Sequence, residues 1–431
     1  MEVKLLTEHY GKPEYQSLAG YQKYAGYEML KKAFAMKPKE IIEMVKASGL
    51  RGRGGAGFPT GMKWSFLPDN GEIRYLLCNA DEGEPGTFKD RMMMERAPHQ
   101  LIEGMIISAY AIQSKKSYIY IRGEYRNCLR IVEKAIREAY DAGLLGQNIL
   151  GSGFDHDMDV YSGAGAYICG EETGMISSLE GLKGQPKLKP PFPAIKGYLG
   201  KPTIVNNVET LAAVKYILRD GPEAYRKNGT EKSAGTKLFS VSGNVLKPGN
   251  YEVPLGYPLK DLIFNLCGGL KEGRKLKAVI PGGSSAPVLT AEEAMKATMD
   301  YECLAQMGSM LGSGAVIVID DSNCMVDMLK VILHFYHHES CGQCTPCREG
   351  TGWIHKIVSS IVTGNGRLQD INLIEKVSKQ MMGRTICALS DAAAMPAISF
   401  VTKFRDEFEF FVREGRSKVN NQGYNYAQMH H

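Results

Sequence analysis

Four cysteines near the C-terminal end of the chain constrain its fold more than any other feature. Cys341, Cys344 and Cys347 are separated by two residues each, and 39 residues then separate Cys347 from Cys387. Three closely spaced cysteines with one distant cysteine form a known arrangement for a four-thiolate iron–sulfur cluster. A four-cysteine zinc site usually has two separated Cys-x-x-Cys pairs. The spacing therefore favours an iron–sulfur cluster, with a zinc site as the alternative.

Length and composition exclude several classes of protein. A chain of 431 residues with 44% hydrophobic residues predicts two or three domains with sizeable cores. A net charge of only +5 does not point to nucleic acid. The start of the chain lacks a signal-peptide pattern, and no uncharged apolar run reaches about 18 residues. We therefore expect no membrane span, and any membrane association through partner proteins.

A glycine-rich segment occupies residues 51–61, Arg-Gly-Arg-Gly-Gly-Ala-Gly-Phe-Pro-Thr-Gly. It follows a predicted helix at residues 40–48 rather than a strand, so it lacks the context of a Rossmann fingerprint, and it is not a P-loop. Its glycines still let backbone N–H groups approach an anion or a flat ring closely. Arg51, Arg53 and Lys63 add positive charge. We interpret the segment as a phosphate-binding loop rather than a plain surface loop.

Strand and helix patterns alternate through the first 180 residues, which predicts an α/β domain. The first strand leads directly into a polar loop, Asn79-Ala-Asp-Glu-Gly-Glu-Pro-Gly86. Ligand loops of parallel sheets lie at this carboxyl end of a strand. Asp81, Glu82 and Glu84 are therefore either solvated turn residues or acceptors for sugar hydroxyls. The predicted helices lie at 40–48, 98–113, 128–142 and 175–180, and the predicted strands at 73–78, 117–122 and 157–161.

A basic, proline-rich segment spans residues 181–208. It contains five lysines, five prolines and no acidic residue, with Phe192 among the prolines. Such a segment is either a linker or a stiff lid for a phosphorylated, aromatic ligand. Residues 203–210 then predict the opening of a helix, in which Asn206 and Asn207 either cap the helix or hydrogen-bond a ring.

The remainder of the chain predicts two further domains. A hairpin, a helix and two more strands indicate a small β-grasp-like domain, and helical patterns then surround the cysteines. We therefore predict domains at residues 1–235, 236–324 and 325–431. The predicted strands lie at 238–243, 251–254, 277–280 and 315–319, and the predicted helices at 259–267, from 325 onward, 373–381 and 393–412.

Taken together, these motifs resemble a family of proteins, the FMN- and NADH-binding subunits of NADH:quinone oxidoreductase, respiratory complex I. The similarity covers about residues 20–415, in the order of the family. It rests on the glycine-rich segment 51–61, the polar loop 79–86, Gly170-Glu-Glu-Thr173, Asn206-Asn207 and the four cysteines. Each motif alone is weak, and the combination is specific. Related diaphorase subunits of NAD-linked hydrogenases and formate dehydrogenases share these motifs, and a zinc-stapled nucleotide-binding protein is an alternative from a different class.

The resemblance implies a Rossmann-like FMN domain, a β-grasp domain and a C-terminal helical bundle with a [4Fe–4S] cluster held by the four cysteines. It assigns Glu84 to the catalytic site with NADH. It assigns to FMN Gly52, Gly54, Gly55, Lys63, Asn79, Asp81, Tyr167, Glu172, Asn206 and Asn207, and to NADH Phe58, Phe66, Glu84, Lys189 and Phe192. Because like charges repel, we also hypothesise that Glu171 or Glu172 lies near the adenosine ribose and selects against the 2′-phosphate of NADPH.

The resemblance also implies a reaction and a setting. NADH is expected to pass a hydride to FMN, which passes single electrons to the cluster and onward to quinone. The expected partners are a thioredoxin-like [2Fe–2S] subunit and an iron–sulfur subunit of the peripheral arm. The expected location is the cytoplasmic side of the inner membrane, with membrane contact only through partner subunits.

Overall fold

The first part of the chain folds around a four-stranded parallel sheet. Its strands are β1 (Tyr75–Ala80), β2 (Lys116–Ile121), β3 (Asp157–Ser162) and β4 (Thr203–Asn207). They lie in the order β3-β2-β1-β4, and all neighbouring pairs are parallel. The computed structural model describes residues 3–419, so His430-His431, whose origin the sequence leaves open, lie outside the described residues.

Helices connect and cover this sheet, as parallel strands require. The glycine-rich segment follows a helix, as the sequence predicts. The helices are α1 (Leu18–Lys23), α2 (Glu28–Phe34), α3 (Pro38–Ala47), α4 (Thr60–Trp64), α5 (Lys89–Arg96), α6 (Pro98–Ile112), α7 (Arg126–Asp141), α8 (Glu172–Leu179), α9 (Pro193–Lys196), α10 (Val208–Asp220) and α11 (Pro222–Lys227), with 3-10 turns at Pro13–Gln16, Ile149–Gly151, Tyr167–Gly170 and Tyr198–Gly200.

The segment before α10 differs from the sequence-based prediction. The pattern predicts that a helix opens at Thr203, but residues 203–207 form β4 and the helix begins at Val208. β4 pairs with β1 from Thr203 to Asn207. This long-range pairing outweighs the local pattern, as is common for strands.

The middle of the chain folds around a second sheet, which has five strands. The elements of this region are β5 (Thr236–Gly243), β6 (Gly249–Pro254), β7 (Tyr257–Pro258), α12 (Leu259–Asp261), β8 (Leu276–Ile280), β9 (Leu289–Thr290), α13 (Ala291–Lys296), β10 (Thr298–Met299), α14 (Tyr301–Gln306) and β11 (Ala315–Asp320). The sheet order is β6-β5-β11-β8-β9, and β7 pairs with β10 beside it. The helix predicted at 259–267 is instead a short α12 followed by a π-helical segment, Leu262–Leu266.

The C-terminal helices carry the four cysteines. They are α15 (Met325–Glu339), α16 (Thr345–Val362), α17 (Leu368–Met381), α18 (Leu389–Lys403) and α19 (Arg405–Glu414). Cys341 and Cys344 lie between α15 and α16, Cys347 lies in the first turn of α16, and Cys387 closely precedes α18. The helix predicted at 393–412 is interrupted at Phe404 and forms two helices.

The helical region shares one hydrophobic core with both sheets. Leu329, Ile354 and Phe400 from the helices are fully buried in this core. Leu77 from β1 and Ile280 from β8 belong to the same cluster. Burial of this apolar surface favours the joined arrangement, so the three regions meet at a common centre.

A cluster of buried charges also joins helices α5 and α10 of the first region to the second sheet. Glu209 in α10 is fully buried, and its carboxylate lies 2.9 Å from Lys89 Nζ and 3.2 Å from Lys237 Nζ. Burial raises the pKa of Glu209, but Lys237, Lys89 and Arg53 outweigh burial and lower it to about 2. Lys237 Nζ also donates to the carbonyl oxygen of Arg53 at 3.0 Å. The cluster therefore fixes the glycine-rich segment against the second sheet.

Replacing Glu209 by Gln should destabilise the protein strongly. The change leaves the Lys237 ammonium group buried without the carboxylate of Glu209 and leaves Lys89 paired with Asp90, at 2.7 Å. Loss of one member of a buried ion pair costs about 3 to 5 kcal/mol. Thermal unfolding of Glu209→Gln measures the effect. Glu223→Gln on α11 is the matched control, because Glu223 is exposed. Equal thermal midpoints for the two variants would contradict this interpretation of the cluster.

Candidate functional site

A cavity of about 370 Å³ opens where the three regions of the chain meet. The first region contributes the glycine-rich segment and the polar loop after β1. The second contributes the loop before β9 and the segment before β11, and the third contributes the start of α18. Its lining residues include Gly54, Gly55, Asn79, Asp81, Glu82, Glu84, Lys89, Tyr167, Glu171, Asn207, Ser285, Met310, Ser313, Cys387, Leu389 and Met395.

The glycine-rich segment forms one wall because other elements hold its backbone. Arg53 N donates to Thr210 Oγ1 at 2.8 Å, and Arg53 is itself buried. A Cβ on Gly54 would lie 3.0 Å from Asn207 Cβ, so the segment packs tightly against the end of β4. Gly52 lies behind this wall, where its carbonyl oxygen accepts from Tyr301 Oη at 2.8 Å.

The polar loop after β1 presents unusual carboxyl groups to the cavity. Asp81 Oδ2 is buried and lacks a hydrogen-bond partner among residues 3–419. Burial raises the pKa of Asp81 to about 7. Burial likewise raises the pKa of Glu82 to about 7, although the backbone N–H groups of Asp90 and Arg91 donate to it. An acceptor that lacks a partner in a cavity wall fits a ligand with hydroxyl donors.

Glu84 lies on the same loop and is partly buried. Tyr167 Oη donates to its carboxylate at 2.7 Å, and Ser285 donates through both its backbone N–H and its hydroxyl group, at 2.8 and 2.7 Å. Burial raises the pKa of Glu84, and these hydrogen bonds oppose that rise. Glu84 thus joins the first sheet to the second at the cavity wall.

Two lysines and two glutamates form a connected group at the edge of the cavity. Lys63 Nζ lies 2.8 Å from Glu172, and Lys189 Nζ lies 2.9 Å from Glu171 and 3.2 Å from Glu172. Burial raises the pKa of Glu172, but Lys63 and Lys189 outweigh burial and lower it. Glu171 also caps α8 by accepting from the N–H groups of Thr173 and Gly174. The group therefore carries charges of both signs, and the capping contact of Glu171 anchors it to the N-terminus of α8.

Three predicted aromatic residues lie on the surface. Phe58, Phe66 and Phe192 are 45%, 51% and 57% exposed. The rings of Phe58 and Phe66 are 6.0 Å apart. Exposed aromatic rings of this kind provide faces on which a planar ring can stack.

The structure therefore divides the predicted site residues into two groups. Gly54, Gly55, Asn79, Asp81, Glu84, Tyr167, Glu171 and Asn207 line the cavity. Gly52, Phe58, Lys63, Phe66, Glu172, Lys189, Phe192 and Asn206 are not among its lining residues. Asn206 is buried, and its side-chain oxygen accepts from Trp64 Nε1 at 2.8 Å.

The four cysteines surround a second, small space. Cys341, Cys344, Cys347 and Cys387 line it together with Ile168, Pro186, Ser340, Gln343, Thr385, Ile386 and Leu389. Burial raises the pKa of Cys347, and it raises the pKa of Cys387 to about 11. The N–H group of Ile386 donates to Cys344 Sγ at 3.4 Å. The long sequence separation of Cys387 is closed by α16 and α17, which return the chain to the cluster of thiols.

Both spaces fit the groups that the sequence predicts. The cavity offers backbone glycines, the buried cation Lys89 and the acceptor of Asp81, which suits a phosphate and ribityl hydroxyls. The cysteine space offers four sulfur donors in a mostly apolar shell. Between residues 3 and 419 no three Cys, His, Asp or Glu side chains converge on a single-ion site. A four-iron cluster needs no such convergence, because each cysteine binds a different iron.

Several lining residues carry no motif in the sequence. Ser285, Ser313, Met310, Ala392 and Met395 come from regions far from the glycine-rich segment along the chain. No local pattern marks them, because only the packing of the three regions brings them to the cavity. The glycines that precede Ser285 are the one signal in the sequence that a close backbone approach occurs there.

Three family models match the chain. The Nuo51 FMN-binding domain matches residues 45–216, the SLBB domain matches residues 237–318, and the NADH-ubiquinone oxidoreductase-F iron-sulfur binding region matches residues 327–410. The fold and these matches define a flavin- and iron–sulfur-binding component of an oxidoreductase. The expected fold class is thereby confirmed, and the cluster is preferred over zinc.

Curated relatives identify the family. The chain is 53% identical over 406 residues to the F 2 subunit of NADH-quinone oxidoreductase of Rhizobium meliloti, covering 94% of this chain and 96% of the relative. It is 49% identical over 419 residues to the F subunit of NADH-quinone oxidoreductase of Mycobacterium tuberculosis, covering 95% and 94%. The chain belongs to the family of NADH-quinone oxidoreductase F subunits.

Solved structures of a second kind of enzyme are also similar. A chain of NAD+-reducing [NiFe]-hydrogenase in the air-oxidized state is 37% identical with a TM-score of 0.83, covering 95% of this chain and 67% of that one. A chain of the H2-reduced state is 39% identical with a TM-score of 0.81, covering 88% and 63%. The present chain therefore spans about two thirds of those hydrogenase chains.

Within residues 3–419, no helix combines the length and the apolar character that crossing a membrane requires.

Replacing Asp81 by Asn should separate stability from flavin binding. The folded-state pKa of about 7 lies above the usual value of 3.8, so the folded state binds the extra proton between about pH 4 and 7. Stability therefore falls as pH rises through this range, and at pH 8 the ionised carboxylate opposes folding. The neutral amide should raise the thermal midpoint of the flavin-free protein at pH 8 by about 2 to 4 °C. The same variant should retain less FMN on purification.

Calorimetry at pH 5 and pH 8, with flavin absorbance after gel filtration, checks this prediction. Asp155→Asn is the matched control, because Asp155 is an exposed aspartate outside the cavity. If Asp81→Asn lowered the midpoint at pH 8 and kept its full FMN content, Asp81 would be a structural residue.

Proposed function

We propose that this chain is the NADH-oxidising subunit of an NADH-quinone oxidoreductase. FMN would bind in the cavity, and a [4Fe–4S] cluster would be held by Cys341, Cys344, Cys347 and Cys387. The observation that carries the proposal is the contact between the two spaces. Ile168, Cys387 and Leu389 line both the cavity and the cysteine space. A hydride acceptor in one space and a one-electron acceptor in the other would therefore be neighbours.

When bound, FMN supplies hydride acceptance from NADH and the cluster supplies acceptance of single electrons. The chain would contribute binding, orientation and shielding rather than an acid or base for the transfer itself. Gly54, Gly55 and Lys89 would bind the flavin phosphate. Asp81 and Asn79 would accept from or donate to the sugar chain, because both line the cavity beside the segment.

The remaining predicted residues would support the FMN site from behind the cavity lining or bind NADH at the cavity entrance. Gly52 and Asn206 would support the FMN site, since each holds a neighbouring residue by a hydrogen bond. Lys63, Glu172, Tyr167 and Asn207 complete the proposed FMN side, and Glu171 or Glu172 would lie near the adenosine ribose of NADH. Phe58, Phe66, Lys189 and Phe192 would bind NADH, with their exposed rings open to a nicotinamide or adenine. Glu84 would contact NADH as the proposed catalytic-site carboxylate.

We also propose the setting of the chain. Membership of the family implies partner subunits in a complex. The finer proposal is a thioredoxin-like [2Fe–2S] subunit and a further iron–sulfur subunit as electron acceptors, on the cytoplasmic side of the inner membrane, with membrane contact through partners only. The proposed domains are residues 1–235, 236–324 and 325–431. Their matches at 45–216, 237–318 and 327–410 are consistent with these limits.

A diaphorase subunit of an NAD-linked hydrogenase is the second candidate. The similarity to the NAD+-reducing hydrogenase chains favours it, because the fold is shared over most of this chain. The higher identity to the F subunits, and coverage of nearly their whole length, favour the quinone-linked function. Purification of the native complex, followed by assays of NADH-dependent quinone reduction and hydrogen-dependent NAD+ reduction, distinguishes the two.

Replacing Cys344 by Ala should separate hydride acceptance from onward transfer. Cys344 is a proposed cluster ligand, and it does not line the cavity. We expect NADH to bleach the flavin at a rate within about twofold of the wild type, while NADH:quinone activity of the assembled complex is lost. Stopped-flow absorbance and iron analysis measure both effects. Cys303→Ala is the control, because Cys303 lies in α14 and lines neither space.

If a Cys344→Ala protein that still holds FMN lost flavin bleaching by NADH, hydride acceptance and onward electron transfer would not be separable in this way.

Replacing Glu171 or Glu172 by Gln should relax the choice of cofactor. A carboxylate near the adenosine ribose would repel the 2′-phosphate of NADPH. We expect the ratio of kcat/KM for NADPH to that for NADH to rise about tenfold in at least one variant, which corresponds to about 1.4 kcal/mol of removed charge repulsion. Glu180→Gln, at the other end of α8, is the control. Unchanged ratios in both variants would remove these glutamates from cofactor selection.

A further inference from the structure

We propose that Ser285, supported by Ser284 and Tyr336, is a positioning residue for the Glu84 carboxylate in NADH oxidation. These three residues carry no predicted role, and the inference rests on the proposed contact of Glu84 with NADH. They come from two regions other than that of Glu84, because the two serines precede β9 and Tyr336 lies in α15. The Glu84 clamp, defined as Ser284, Ser285, Tyr336 and Tyr167, therefore spans all three regions of the chain.

The clamp fixes both oxygens of one carboxylate. Ser285 N and Ser285 Oγ donate to Glu84 Oε1 at 2.8 and 2.7 Å, and Tyr167 Oη donates to Oε2 at 2.7 Å. Ser284 Oγ lies 3.5 Å from Oε1 and 2.7 Å from Tyr336 Oη. Hydrogen bonds to a charged group are stronger than neutral ones. Glu84 is therefore held in one rotamer and cannot swing freely toward the cavity.

The backbone at Gly283, beside the clamp, packs closely against the side chain of Glu84. Gly283 has a φ of +97°, and a Cβ at this position would lie 2.6 Å from Glu84 Cγ. Ser284 N also donates to the carbonyl oxygen of Pro85 at 3.3 Å. Only glycine at 283 allows the serine pair to reach the carboxylate, so the loop of the second sheet is shaped around Glu84.

Part of the clamp lies at the cavity itself, so the clamp can position the Glu84 carboxylate toward a ligand as well as support the fold. Glu84, Tyr167 and Ser285 line the cavity, whereas Tyr336 does not. Burial raises the pKa of Glu84, and the donors of the clamp oppose that rise, so they favour the ionised form. A carboxylate oxygen held in one position at the wall can accept a hydrogen bond from a ribose or amide donor of NADH without reorganising first.

A double-mutant cycle in the holoenzyme tests the inference. Ser285→Ala should raise the KM for NADH about tenfold in NADH:ferricyanide turnover, as loss of one hydrogen bond to a charged group predicts. The kcat should change by less than about twofold. In a Glu84→Ala background, the same serine change should alter KM by less than about twofold, because the serine acts through Glu84. Ser285→Thr keeps the hydroxyl group and should restore a KM close to that of the wild type.

Ser240→Ala is the matched control. Ser240 is a buried serine of the second sheet that accepts from Phe88 N of the first region at 3.1 Å, and it does not line the cavity. Its removal should leave the KM for NADH unchanged. FMN and iron contents are measured for every variant. If Ser285→Ala does not retain FMN, Tyr336→Phe replaces it in the cycle and should raise KM through the loss of the Ser284 contact.

The outcomes distinguish the inference from the proposed function. A tenfold effect of Ser285→Ala that persists in the Glu84→Ala background would make the serine a structural residue and overturn the inference. An effect of Glu84→Ala on KM with none of Ser285→Ala would overturn the inference and leave the proposed function standing. No effect of Glu84→Ala on KM would overturn both the NADH contact of Glu84 and the clamp. A wild-type enzyme without NADH oxidation would overturn the proposed function itself.

Discussion

The buried carboxylate of Glu209 is the contact on which the arrangement of the chain depends. A charge removed from water must be paired, or the desolvation cost exceeds what folding provides. Glu209 meets this demand with Lys89 from α5 and Lys237 from β5, and Lys237 in turn holds the backbone of Arg53. Two helices of the first region, the second sheet and the glycine-rich segment are thus held together around one buried carboxylate. This cluster therefore determines where the glycine-rich wall of the cavity lies.

The cavity belongs to no single region. Its walls come from the first sheet, the second sheet and the start of α18, and the shared hydrophobic core holds these parts together. Asp81 retains a buried oxygen without a partner in the described chain, and burial raises the pKa of Asp81 and Glu82 to about 7. Carboxyl groups with strongly raised pKa values and unpartnered oxygens are more typical of functional sites than of structural cores.

The sequence predicts the parts of this protein that short-range chemistry encodes. The cysteine spacing, the glycine-rich segment and the strand–helix alternation each depend on neighbours along the chain. β4 was not predictable in this way, because its pairing with β1 joins residues more than 120 positions apart. The same reason hides Ser285, which meets Glu84 across 201 residues. Asn206 shows the reverse difficulty, because its motif position gives no sign that its side chain turns to Trp64.

The contact between the cavity and the cysteine space gives the C-terminal helices a reason to pack where they do. Cys387 and Leu389 lie at the start of α18 and line both spaces, while Ile168 precedes α8 of the first region. Separate domains joined by flexible linkers would hold two redox groups at variable separation. Here one hydrophobic core fixes the helices to both sheets. Apolar burial thereby maintains a constant distance between the proposed hydride acceptor and the proposed one-electron acceptor, which is the geometric requirement for passing electrons from one to the other.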